Sequence, residues 1–295
     1  MKNFVIVTDS SCDLNKELRD RANIEYLKMR YIYGNVDVPA DLDWVHLTAK
    51  QFYDKMREGV RFTSSQVIAP EYADLFEMHA KEGVDVLYIG CSSALSGSYR
   101  ASLVAREEVM AKYPEAKIIC IDALRASMSL GILVITAAKL KEEGKTIEEV
   151  AAYIEENKMT VHMVGTVEDL KYLQRAGRVS AVSAVFGGLL SIKPIIIADT
   201  KGENHVIDKP KGRRKSLNYI VDYVKAHYKP NKYQHIAICH ADCDADMEYI
   251  KTQLQAFIPE KDVEYSVNYI GPAIGASVGP GMISVFFYGD EVTLK

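Results

Sequence analysis

Four serines, Ser92, Ser93, Ser96 and Ser98, crowd around Gly97 between an apolar run, Val84–Gly90, and a helix-like run, Arg100–Lys112. Hydroxyls and free backbone N–H groups at a helix start favour an anion, through hydrogen bonding and the helix dipole. A hydrolase would use Ser92 as a nucleophile on this strand-to-helix turn. The nucleophile elbow, however, wants glycine on both sides, and here Gly90 is answered by Ala94. The cluster contains no strong base and no metal ligand. Its bland alternative is a helix cap with small residues packed beneath it.

Three further segments offer chemistry. Thr63, Ser64, Ser65 and Gln66 present three hydroxyls and an amide to a carboxylate or phosphate, or else form a capped turn. In Leu173–Ser180, Gly177 reads as a helix C-cap and Ser180 as the next helix start, with Arg178 at the corner. An arginine beside a run as apolar as Val182–Leu190 calls for an anionic partner, or it bonds helix carbonyls. The stretch Gly271–Gly281 holds four glycines and two prolines, which predicts backbone held close to something, or a tight strand-to-helix turn. It lacks the Gly-Lys-Ser/Thr ending of a P-loop, and no dinucleotide fingerprint occurs. Cys239, His240, Asp242 and Cys243 are metal-capable types, but neighbours on one strand end rarely converge into a tetrahedron.

The elements that must position these groups are legible in outline. Strand signals recur at Phe4–Val7, Val84–Gly90, Lys117–Asp122, Thr160–Val167, Ile195–Ala198, His235–Cys239, Val263–Tyr269 and Met282–Tyr288. Several are continuous β-branched runs, as in strands buried on both faces. Helical patterns lie between them: Ala69–Glu82 stops at Gly83, Ser127–Glu143 at Gly144, and Thr146 with Glu149 forms a capping box. This alternation predicts an α/β fold. We place a boundary near Asn157–Met159, giving an N-terminal α/β domain (1–158) with a doubly wound, mostly parallel sheet. A C-terminal α/β domain (159–295) follows, with a mixed sheet that includes a hairpin turning at Asp199–Gly202.

The chain has 295 residues, 48% of them hydrophobic, and a net charge of −4. That balance argues against nucleic-acid binding, which needs a basic face. The basic run Lys209–Lys215 reads first as a solvated turn. No segment reaches the roughly 18 apolar residues of a membrane span. The first apolar run, Phe4–Val7, is too short for a signal peptide. Five irregularly spaced cysteines fit reduced thiols, so a cytoplasmic location is expected.

Taken in order, these segments resemble the DegV family of bacterial fatty-acid-binding proteins. The resemblance rests on Val7–Ser10, Ser64–Gln66, Leu95–Tyr99, Gly177–Val179, Leu190–Pro194, Arg213 and the glycine-proline segment, and spans nearly the whole chain. It implies a two-domain protein holding one long-chain fatty acid in an apolar tunnel between the domains, with the carboxylate at hydroxyls near the mouth. Ser64 stands where the family usually has threonine, and Ser96 at the serine that bonds the carboxylate. Arg178 and Arg213 match arginines near the head group. The family further implies a lipid-carrying subunit whose fatty acid a separate kinase phosphorylates.

The chain departs from the pattern at Ser277, where the family usually has histidine. Serine can donate a hydrogen bond but cannot carry charge or titrate near neutral pH. The expected ligand-binding set is Ser64, Ser65, Ser96, Gly97, Arg178, Arg213 and Ser277. No catalytic residue, metal or cofactor is expected beyond the bound fatty acid. The rival readings are a phosphotransferase-like or hydrolytic enzyme using Ser92 or Ser96, and a DegV-like binder of another small acid.

Overall fold

The computed structural model describes residues 3–179 and 191–295. Ser180 and the apolar run after it lie outside these described residues. The chain opens with β1 (Phe4–Asp9), α1 (Lys16–Ala22), β2 (Ile24–Leu27), β3 (Arg30–Tyr33), β4 (Val36–Pro39), α2 (Ala49–Arg57) and β5 (Phe62–Ser65). It continues through α3 (Ala69–Lys81), β6 (Asp85–Gly90), α4 (Ser98–Lys112), β7 (Ile118–Asp122), α5 (Met128–Glu142) and α6 (Ile147–Asn157). Four of these strands form a parallel sheet in the order β2-β1-β6-β7. From β1 the chain first adds β2 on one side and later β6 on the other. The β1/β6 junction is therefore a topological switch point, and ligands of open α/β sheets bind at the carboxyl ends of strands there.

Strands β3, β4 and β5 form a separate antiparallel sheet in the order β4-β3-β5, which the sequence analysis did not foresee. Its inner face is aromatic: Tyr31 and Phe62 pack on Phe52 of α2, with ring centroids 5.5 and 4.4 Å apart. Ser64 and Ser65 thus sit on a strand rather than in a turn.

The second half contributes β8 (Val161–Thr166), α7 (Lys171–Ala176), β9 (Ile195–Ala198), β10 (Asn204–Asp208), α8 (Arg213–His227) and β11 (His235–His240). Then come α9 (Asp244–Phe257), β12 (Glu264–Tyr269), α10 (Pro272–Val278) and β13 (Ile283–Tyr288). The six strands make a mixed sheet, order β10-β9-β8-β13-β11-β12, in which only β11 and β12 run parallel. One face, with Ile236, Ile238, Val285 and Phe287, packs against α8 and α9. The alternating residues Ala237, Cys239, Phe286 and Tyr288 turn the other way, into a core shared with the parallel sheet.

Helix α5 is the seam between the two sheets. Twelve of its residues are buried, as expected for a helix apolar on every side. Thr136 bonds Tyr288 across the seam at 2.9 Å. The glycine-proline segment, read as backbone held close to something or else a tight turn, is mostly helix and does lie close to its neighbours. Pro272 sits at the first position of α10, and small residues let the helix lie against Tyr53 and Phe52.

His162 of β8 is 2% exposed. It stacks on Phe287 and His227, and it bonds the Asp290 carbonyl at 2.7 Å and the Tyr223 hydroxyl at 3.2 Å. Burial pushes its imidazole down to about 4. It stays neutral in the fold, whereas the unfolded chain protonates it near its ordinary value. Its contribution, up to about 3 kcal/mol, is therefore present above about pH 6.5 and lost as pH falls toward 4. Thermal melts from pH 7 to pH 5 should show falling stability in the native chain and a shallower fall in His162→Gln. Equal slopes would remove His162 from this role.

Candidate ligand-binding site

The carboxyl ends of β1, β6 and β7 feed three loops, which carry Ser11, then Cys91 and Ser96, then Ser127. Together with β5, α10 and the facing residues of the mixed sheet they enclose a cavity of about 340 Å³. Its walls are apolar, with Leu95, Leu173, Ile196, Ile270, Ile274 and Phe286 among them. Apolar walls with few convergent polar groups are the usual character of a small-molecule site.

Of the seven residues expected from the sequence, six line this cavity: Ser64, Ser65, Ser96, Gly97, Arg178 and Ser277. Ser96 is held by its own loop. Its N–H donates to the Ser92 carbonyl, its hydroxyl donates to the Ser98 hydroxyl at 3.0 Å, and its Oγ accepts from the Ser98 N–H at 3.2 Å at the start of α4. The Ser98 hydroxyl in turn accepts from the Val67 N–H at 3.3 Å, which pins the β5 exit onto the serine loop. Gly97 has the Gln66 amide oxygen 1.9 Å from where a Cβ would stand, so the bare glycine lets that amide lie against the loop. Among the described residues, Ser64, Ser65 and Ser277 spend no hydroxyl on another side chain.

Arg178 follows Gly177, whose φ of 65° closes α7 with N–H bonds to the Leu173 and Gln174 carbonyls. It is exposed, and it reaches the Leu95 carbonyl of the serine loop at 3.5 Å and its own Ala176 carbonyl. The carbonyl-bonding reading of this arginine therefore holds, at a position that also lines the cavity.

Arg213 corrects the expectation. It does not line the cavity. Its guanidinium donates to Asp246 at 2.7 Å and to the Gly281 carbonyl at 2.7 Å, with Glu168 3.8 Å away. Asp246 at the start of α9 and Glu168 in the loop after β8 hold it, and it ties α8 to α9 and to the loop between α10 and β13.

The structure adds residues that the sequence analysis did not pick out. Arg125 is 1% exposed and lines the cavity. It bonds the Val161, Leu124 and Asp199 carbonyls, and burial lowers its guanidinium to about 10. Asp13, fully buried, accepts from the Ser127 hydroxyl at 2.6 Å and from the Gly271 N–H at 2.9 Å. Burial raises its carboxyl to about 7, against those two hydrogen bonds. Ser127 holds φ 55° and ψ −146°, backbone that a non-glycine residue adopts only under constraint. The available signals were a lone arginine just before a wholly apolar helix and a second carboxylate four residues past β1.

Ser92 does not match a nucleophile. It is fully buried, its hydroxyl donates to the Gly202 carbonyl at 2.8 Å, and no histidine lines the cavity among the described residues. Ser92→Ala should cost about 1–3 kcal/mol in a denaturant titration, because a buried carbonyl loses its donor. A serine-directed covalent probe should leave the native protein unlabelled. Labelling that disappears in Ser92→Ala would contradict this assignment.

The family model described as "Uncharacterised protein, DegV family" matches residues 3–290. A DegV domain-containing protein of Clostridium perfringens is 41% identical over 291 residues, covering 98% of this chain and 99% of the relative. Among solved structures, DegV of Bacillus subtilis, named a fatty acid binding protein, is 26% identical. Its TM-score is 0.82 over 98% of this chain and 100% of that one. A DegV family protein from Thermus thermophilus has a TM-score of 0.84 at 24% identity, over 97% and 99% of the two chains. Matched by the family model over nearly its whole length and by the Clostridium perfringens relative, the chain belongs to the DegV family.

Proposed function

We propose that this chain binds one long-chain fatty acid in the cavity, its carboxylate held by Ser64, Ser65, Ser96, Ser277 and Arg178 beside Gly97. One observation carries this reading: apolar walls meet, in the same cavity, the Ser64, Ser65 and Ser277 hydroxyls, unspent on other side chains, and an arginine that among the described residues bonds only carbonyls. Each buried CH₂ contributes about 0.8 kcal/mol, so the tail supplies most of the affinity. A buried carboxylate is costly unless donors replace its water, and hydroxyls with a guanidinium do so without attacking it. The fatty acid binding named for DegV of Bacillus subtilis supports the same ligand class.

The chain acts without catalysis of its own and presents the head group to a partner kinase in the cytoplasm. A side cleft that shares Ser64, Arg178 and Ser277 with the cavity also carries Arg61 and Arg175. None of the three arginines joins an ion pair among the described residues, which supports an approach by negatively charged phosphoryl groups. Helices of the described residues are all too short or too polar to cross a membrane. We divide the chain into domains 1–158 and 159–295, because each large sheet draws its strands from one side of that boundary.

Denaturing the purified protein and analysing an organic extract by mass spectrometry should give one fatty acid per chain. A chain that is empty and also fails to take up labelled fatty acid would sink the reading. In titrations, Ser96→Ala should weaken binding by roughly 1.5–3 kcal/mol, the worth of a hydrogen bond to a charged group. Unchanged affinity would move the head group elsewhere.

A further inference from the structure

The turn after β1 places two carboxylates, Asp9 and Asp13, in the fold's interior, each 2% exposed or less. Asp9 accepts from the Ser11 N–H at 2.9 Å, the Ser11 hydroxyl, the Tyr88 hydroxyl at 2.9 Å and the Cys91 N–H at 3.1 Å. Among the described residues Asp13 has two donors, the Ser127 hydroxyl and the Gly271 N–H. Neither carboxylate joins an ion pair with Lys, Arg or His among the described residues. The other titratable groups facing Asp13 are the thiols of Cys12 on its own turn, Cys91 after β6 and Cys239 on β11, with the Tyr53 phenol of α2. Burial pushes all four up, so they stay neutral and offer no compensating charge.

The residues bonded to these carboxylates reach the ligand. Ser11, Cys91 and Ser127 line the cavity, and Gly271 opens α10, which carries Ser277. An acidic ligand entering this cavity adds a third negative charge to a low-dielectric region that already holds two carboxyl groups. The Arg125 guanidinium in the same lining is turned to the Val161, Leu124 and Asp199 carbonyls and bonds neither carboxylate. Like charges raise one another's proton affinity in such surroundings. Asp13 has fewer donors than Asp9, and burial has already brought its carboxyl to about 7. It is the group that yields first.

We propose that binding of the acidic ligand draws one proton from solvent onto Asp13, and that this proton turns the Ser127 hydroxyl from the carboxylate toward the cavity. In the structure the Ser127 O–H donates to Asp13 Oδ2. After uptake the new Oδ2–H donates to Ser127 Oγ, which leaves the serine proton free to donate to the ligand. The Gly271 N–H keeps its bond to Asp13 Oδ1 throughout, so α10 stays in place. The only co-reactant is a solvent proton, and no covalent bond to the ligand forms. Asp13 is then a positioning residue that acts through Ser127. This inference rests on the fatty-acid reading above.

Calorimetric titration with a long-chain fatty acid, in buffers of different ionisation enthalpy at one pH, reads the protons taken up. The native chain should take up a fraction of a proton at pH 7, rising toward one at pH 8. A fatty alcohol of equal length should bind without uptake. Asp13→Asn should bind the acid with no uptake. Should that variant fail to fold, Ser127→Ala should show less than half the native uptake, because Asp13, without its donor, is protonated beforehand. Binding with buffer-independent enthalpy, equal uptake with the alcohol, or uptake that survives both substitutions would overturn the proposal and leave fatty-acid binding standing. No binding of the acid at all would overturn the fatty-acid reading, and this inference with it.

Discussion

The hydrogen bond from the Gly271 N–H to the buried carboxylate of Asp13 joins the two ends of the chain across 258 positions. Asp13 ends the turn after the first strand, and Gly271 begins the last helix. The contact is close enough that a Cβ on Gly271 would stand 2.7 Å from the Asp13 oxygen, so the glycine is required by the approach. Through Ser127 the same carboxylate also holds the entry to α5. One acidic side chain thus sets the relation of the parallel sheet, the seam helix and the helix that closes the cavity. A buried carboxylate would ordinarily destabilise a fold, and here its donors come from the segments that have to meet.

Given that tie, the cavity follows from topology. The switch between β1 and β6 leaves the carboxyl edge of the parallel sheet open. Helix α5 covers one face of that sheet and carries the mixed sheet on its other side. Residues of β8, β9 and β13 roof the opening, and α10 lies against the small aromatic sheet that bears Ser64 and Ser65. The lining combines apolar walls with several serine hydroxyls, the two characters of an amphiphile. On the proposed reading the tail supplies binding energy by leaving water, and the hydroxyls keep the head group from cancelling it.

How much of this was legible depended on length and partner. The runs at Val84–Gly90, His235–Cys239 and Met282–Tyr288 are strands because both faces are buried, and their continuous apolar character shows it. Strands β3, β4 and β5 have four residues each, too few for a period to emerge, and their pairing depends on neighbours more than on pattern. Small residues and prolines in Gly271–Gly281 read as a turn, because helix α10 owes its formation to packing against Phe52 and Tyr53. The serines line one cavity, but their gathering into one site was legible through the family resemblance, since a serine's type says only that it can donate. Arg213 was misplaced because a basic residue does not disclose which acid it will meet, and Asp246 lies 33 positions away. Asp13 was silent for the same reason: a carboxylate after a strand looks like a turn residue until its burial is known.

The central claim is that the mouth recognises a carboxylate while the walls recognise a chain. Competition between a long-chain fatty acid and its methyl ester tests this most directly, since the two share a tail and differ in the charged head. The account predicts that the ester binds at least about tenfold more weakly, the equivalent of about 1.4 kcal/mol or more in lost charge-assisted hydrogen bonds. Equal affinity for acid and ester would contradict it.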